Sequence, residues 1–99
     1  MQLEFRDETL ELLSCEPDFV PDGWDEGMIR ASRRVLDLLK STRDERDLHN
    51  LRTLRFEALP VKRKRTCSVR LNERKRLIFR LEGDVPNTVI VVLEAVETQ

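Results

Sequence analysis

Ser68-Val69-Arg70-Leu71-Asn72, then three residues, then Arg76-Leu77-Ile78-Phe79-Arg80 is the stretch that decides the fold. Its residues alternate with a period of two, as the side chains of a half-buried strand must. Over about 66–72, Cys67, Val69 and Leu71 point one way, while Thr66, Ser68, Arg70 and Asn72 point the other. Over about 75–82, Leu77, Phe79 and Leu81 face a core, and Arg76, Ile78 and Arg80 face away. Two adjacent strands that show guanidinium groups on their open face make a phosphate-binding surface, because the planar arginine fork bonds phosphate oxygens in pairs. Nucleic acid is therefore the first partner to consider.

Working outward, the turn Gly83–Asn87 leads into a strand over about 88–96. Its run Val89-Ile90-Val91-Val92-Leu93 is apolar on both sides, which predicts a central place in the sheet. Upstream, Leu54, Phe56 and Leu59 alternate, but Pro60 ends regular pairing there. Asp44–Asn50 reads as a charged turn from which Leu48 and Leu51 return to the core. The clearest helix runs over about 25–42, with a stripe of Met28, Ser32, Val35 and Leu39 backed by Ile29, Leu36 and Leu38. Arg30, Arg33, Arg34 and Lys40 take its outer face. Pro17, Pro21 and Gly23 mark 15–27 as an irregular acidic loop, anchored by Trp24. A short helix capped by Asp7 reaches about residue 14, and Leu3 and Phe5 mark a first strand over about 2–6. The expected fold is α+β: a short N-terminal strand, two helices, then a three-stranded antiparallel meander forming one sheet packed on the helices. With no repeat or long linker, residues 1–99 form one expected domain.

The chain is 39% hydrophobic and 37% charged, which fits a soluble globular protein. Nothing approaches the roughly 18 consecutive apolar residues of a membrane span. The N-terminal residues lack the pattern of a signal peptide, so a cytoplasmic location is expected. Cys15 and Cys67 have no metal-ligand spacing and are read as free thiols, with no metal or other cofactor expected. The net charge of −1 conceals a polarised distribution. Residues 1–26 carry nine acidic groups against one basic, and residues 27–99 carry ten against seventeen. Within 62–76, eight basic groups face Glu73 alone. Such segregation focuses a field over one face even when the sum is near zero.

The spaced signature Ser68-Val69-Arg70-Leu71-Asn72-x-x-x-Arg76-Leu77-x-Phe79 resembles the strand–turn–strand of the RelE/ParE toxin superfamily, and the chain is most like its HigB branch. Leu54-Arg55-Phe56-Glu57-Ala58-Leu59 is similar to the segment leading into that hairpin, and Phe5, Leu10 and Leu13 fit the first strand and helix. The resemblance implies a RelE-like fold and a toxin of a type II toxin–antitoxin module. It further implies a cognate antitoxin, expected to be a helix-turn-helix protein encoded nearby. RelE and HigB members cut messenger RNA in the ribosome, so ribosome and mRNA become expected partners. ParE members share the fold but poison DNA gyrase, and fold alone does not separate these chemistries.

Metal-free cleavage of RNA by its own 2′-hydroxyl needs a base, a stabiliser for the crowded anionic phosphate, and an acid for the leaving oxygen. Arg76 matches the family's functional arginine at the start of its strand. Arg70 shares its face, at a position where RelE-like proteins carry a lysine. Ser68 stands where such proteins carry a second lysine. Arg80 lies further along the face and joins Lys62, Arg63, Lys64 and Arg65 as an expected RNA-binding group. The family's histidine before the hairpin is replaced by Glu57, and its polar tyrosine or histidine near the last strand is missing. Glu57 and Glu94 are the candidate acid–base groups, since the chain has no tyrosine and His49 sits in a charged turn. That reduced set keeps two alternatives open: a ParE-like gyrase inhibitor, and a catalytically degenerate protein that binds RNA or antitoxin.

Overall fold

The computed structural model describes residues 1–51, 56–58, 65–84 and 87–97. In chain order the elements are β1 (Gln2–Phe5), α1 (Glu8–Cys15), α2 (Glu26–Ser41), α3 (Glu45–His49), β2 (Glu57–Ala58), β3 (Arg65–Arg70), β4 (Lys75–Glu82) and β5 (Val89–Glu97). The strands form one five-stranded sheet in the order β1-β5-β4-β3-β2. The meander β3-β4-β5 is antiparallel, and β1 runs parallel to β5. As its two-sided apolarity predicts, β5 lies inside the sheet, between β1 and β4.

Each helix starts where an aspartate side chain accepts a backbone N–H that the helix itself cannot satisfy. Asp7 accepts from Leu10 at 2.9 Å, and Asp25 accepts from Met28 at 2.7 Å. Asp44 accepts from Arg46 and Asp47, so the charged stretch expected as a turn folds into the short α3. Asp47 reaches back to the N–H of Arg43 at 2.8 Å, which closes the cap from the other side. Local capping thus turns a five-residue polar segment into a helix, while Leu48, fully buried, ties it to the core.

The α2 stripe Met28, Ser32, Val35 and Leu39 is buried as its spacing requires. It packs with Leu10 and Leu13 of α1, Leu48 of α3, and Val69, Leu77, Phe79, Leu81, Ile90 and Val92 of the sheet in one core. Trp24 packs on its margin. Arg33 does not stay on the solvated outer face. Its guanidinium donates to the carbonyls of Leu13 at 2.9 Å, Glu16 at 3.1 Å and Phe19 at 2.6 Å. Lys40 donates to the carbonyl of Ser14 at 3.2 Å. Two cations of α2 therefore close the C-terminus of α1 and the acidic loop behind it, where unsatisfied carbonyls carry the negative end of the helix dipole.

The hairpin turn begins two residues earlier than the alternation suggests, since β3 ends at Arg70 and Leu71–Arg74 make the turn. Asn72 Oδ1 accepts the N–H groups of Arg74 and Lys75, each at 2.8 Å. This side chain substitutes for the backbone in shaping the turn. At the other end of β4, Gly83 has φ +83°, and a Cβ there would lie 2.8 Å from the Asn87 carbonyl oxygen. Only glycine fits that conformation and that approach. Leu54, Leu59 and Pro60, expected to alternate and then end the pairing, lie outside the described residues.

Candidate functional site

One face of the sheet carries the helices, and among the described residues no helix packs on the other, here called the open face. The strand register decides which side chains share the open face. Arg70 stands directly opposite Arg76, and Ser68 stands opposite Ile78. Across the next strand, Ile78 stands opposite Glu94 and Arg76 opposite Val96. On the outer side, Glu57 of β2 pairs with Ser68. The structure therefore sets Glu57, Ser68, Ile78 and Glu94 in one row across four strands, beside the row Arg70, Arg76 and Val96.

Glu94 reaches this row through an irregularity that the sequence does not announce. Phe79 pairs with Val92, whereas its neighbour Ile78 pairs with Glu94, so Leu93 is an extra residue in β5. Strict alternation from Ile90 and Val92 would turn Glu94 into the core. The β-bulge resets the phase, leaving Ala95 to pack against the core and Glu94 exposed. A carboxylate thus joins the arginine face without a buried, unpaired charge.

The two opposed arginines are held apart. Arg76 Nε donates to Ser68 Oγ at 3.0 Å, and Arg70 Nε donates to the Asn72 carbonyl at 3.1 Å. Each bond restrains a guanidinium by its inner nitrogen, while their forks carry the same charge. Arg80, four residues along β4 from Arg76, shares the face and ion-pairs through Nε with Glu82. Its side chain is only 18% exposed, which leaves it a narrower opening to a ligand.

Arg65 opens β3 in the phase of Cys67 and Val69, on the helix side of the sheet. It ion-pairs with Glu45 of α3 and donates to the Gly83 carbonyl at 3.1 Å. The fold therefore does not bring it to the Arg70–Arg76 row. Lys62, Arg63 and Lys64 lie outside the described residues. His49 packs edge-on against Phe56, with ring centroids 4.7 Å apart, at the end of α3.

Cys15 and Cys67 are free, the first exposed and the second buried. Burial pushes the Cys67 thiol up from its ordinary 9.0 to about 11, with the Glu45 carboxylate adding to the rise and Arg65 opposing it. Such a thiol stays protonated and unreactive near neutral pH. Among the described residues no cluster of histidine, cysteine, aspartate and glutamate can hold a metal ion. None of the described helices is long and apolar enough to cross a membrane. A cleft of about 270 Å³ lies at the hairpin end of the helix side, between Trp24, Met28 and Arg74. It is separated from the arginine face by the sheet itself.

A mixed sheet with helices on one face and a meander carrying arginines on the other is the layout of a RelE-like toxin. Residues 3–93 match the family model described as the RelE-like toxin of the type II toxin–antitoxin system HigB. The chain belongs to this HigB-like toxin family, and a cognate antitoxin is the partner that membership implies. No curated protein and no solved structure matches it.

Proposed function

We propose that this toxin is a ribosome-dependent endonuclease that cuts messenger RNA and so inhibits translation in the cytoplasm. The observation that carries the reading is the opposed pair Arg70 and Arg76, one row from Glu94, on the open face of the sheet. In the proposed reaction the 2′-hydroxyl of a ribose attacks the adjacent phosphorus and the 5′-oxygen of the next nucleotide leaves. The products are a 2′,3′-cyclic phosphate and a 5′-hydroxyl. Arg76 and Arg70 neutralise charge on the crowded phosphate, where fixed guanidinium donors act most strongly. Glu94, or Glu57 at the opposite end of its row, takes the hydroxyl proton, and the leaving oxygen recovers a proton from the other carboxyl or from water. Arg80 lies where it can steer the RNA backbone.

Primer extension on a reporter message in a translating extract tests the reading. Cleavage that requires ribosomes and falls by about a hundredfold in Arg76→Ala is the expected result, the loss typical of removing one charge-stabilising group. Uncut messages with the wild-type protein would overturn it.

A second reading rests on the acid–base groups. The chain contains no tyrosine, and its one histidine packs against Phe56 at the end of α3. A face with arginines but few proton-transfer groups suits a binding toxin, and the partner in that reading is DNA gyrase. Inhibited supercoiling with intact messages would favour it over cleavage. Harmless expression of the toxin without an antitoxin would favour a degenerate protein that retains only binding.

A further inference from the structure

Three polar side chains are buried among the described residues: Ser32, Thr42 and Ser68. Ser32 belongs to α2 and Thr42 ends it, so only Ser68 lies on the sheet. It is 1% exposed, and its hydroxyl oxygen accepts the Nε–H of Arg76. Ser68 stands opposite Ile78, two residues along β4 from Arg76, so this contact runs diagonally across the strand pair. It draws Arg76 away from the row it shares with Arg70 and toward the row that contains Glu94. Arg70 is drawn the opposite way, to the turn carbonyl of Asn72.

Like charges directly opposite one another destabilise a strand pair and would swing outward if left to find their own rotamers. Tying both by Nε separates them while leaving the charge in place. A guanidinium held by Nε loses the freedom to turn about its last bonds before any ligand arrives. That ordering entropy is then not charged to binding or to the transition state. Water does not compete for a hydroxyl so deeply covered.

We propose that Ser68 is a positioning residue, whose buried hydroxyl holds Arg76 by Nε and aims its fork at the phosphate bound on the open face. This rests on the phosphate-binding reading of Arg76 given above. Ser68→Ala removes the acceptor, and Ser68→Thr keeps it on a residue suited to a strand.

Ser68→Ala is expected to lower kcat for message cleavage about tenfold with KM unchanged, the cost of about one hydrogen bond. Ser68→Thr should recover most of the loss, and both variants should melt within a few degrees of the wild type. In Arg76→Lys, which has no Nε–H to hold, Ser68→Ala should have little further effect. A Ser68→Ala enzyme as active as the wild type would overturn the proposal. So would equal losses in the alanine and threonine variants that track a lowered melting temperature.

Hydrogen exchange at the Arg76 Nε–H, followed by ¹⁵N NMR on the free protein, reads the contact without any ribosome. Slow exchange in the wild type and in Ser68→Thr, and fast exchange in Ser68→Ala, is expected. Fast exchange in the wild type would overturn the proposal. Should the wild type cut no message, the ribonuclease reading alone fails. Fluorescence anisotropy with a short single-stranded RNA then decides on Ser68: affinity lost in the alanine variant and restored by threonine supports the role, and equal affinities refute it.

Discussion

The two faces of the sheet use the same strands for opposite purposes. On one face Leu77, Phe79 and Leu81 are buried under the helices, and on the other Arg76, Ile78 and Arg80 alternate with them, only partly buried. The first set supplies the apolar burial that holds the chain together, at about 25 cal/mol for each Å² removed from water. The second contributes charge at fixed spacing and little stability. A period of two is thus enough to place apolar and charged side chains on opposite faces of a single eight-residue strand.

The sharpest way to break the comparison is to substitute one residue from each face. Phe79→Ala empties a fully buried site and should cost about 3–5 kcal/mol, enough to unfold a small domain under mild denaturant. Arg76→Ala empties no core site but unpairs the buried Ser68 hydroxyl, so it should cost only about 1–2 kcal/mol while removing activity. Denaturant titration of both variants checks this, and equal destabilisation would mean that the arginine face also supports the fold.

A smaller loss is expected where a charge has been recruited to the stabilising side. Arg33→Ala removes three charge-assisted bonds to α1 and the acidic loop and should cost about 2 kcal/mol, discounted for its partial exposure. Arg34→Ala, on the exposed neighbour, should cost about a tenth of that. Thermal melting of the two variants distinguishes a clamp from a solvated cation.

Cys67 gives the helix side of the sheet a pH signature. Its folded thiol holds its proton up to about pH 11 against 9.0 ordinarily, so the folded state binds that proton more tightly. The stabilising contribution is complete below about pH 9 and is lost as pH rises toward 11. Stability measured from pH 8 to 11 should fall less steeply in Cys67→Val than in the wild type. Iodoacetamide at pH 8 should label the exposed Cys15 and spare Cys67 until the protein unfolds.

The smallest effect should come from Ser32 of α2, whose buried hydroxyl has no hydrogen-bond partner among the described residues. Ser32→Ala is expected to be neutral or stabilising by up to about 1 kcal/mol, since it removes an unsatisfied polar group and improves helix propensity. Ser68→Ala, on the other face, removes a hydroxyl that has a bonded partner. Comparing the two alanine variants by melting and by activity tells an idle buried hydroxyl from a working one.

Much of this was legible in the residues. Alternation in β3 and β4, the α2 stripe, the caps Asp7 and Asp25, and the two-sided apolar run of β5 each follow from local chemistry acting over a few residues. So does the grouping of Arg70, Arg76 and Arg80 on one side, because strand parity is a property of the chain. The short α3 was hidden by its polarity, since four charged or polar residues around a lone Leu48 carry no helical stripe and the helix depends on reciprocal aspartate caps.

What the tertiary structure alone decided concerns distance across strands and the phase of pairing. The parallel placement of β1 beside β5, and the row that joins Glu57, Ser68, Ile78 and Glu94, depend on partners far apart in sequence. The bulge at Leu93, which turns Glu94 outward, has no signature in an unbroken apolar run. Arg33 reads as a solvated cation and Arg65 as an RNA-binding group because their acceptors are backbone carbonyls and a glutamate brought near only by folding. Local sequence fixes which way a side chain points from its own strand; long-range packing fixes what it meets there.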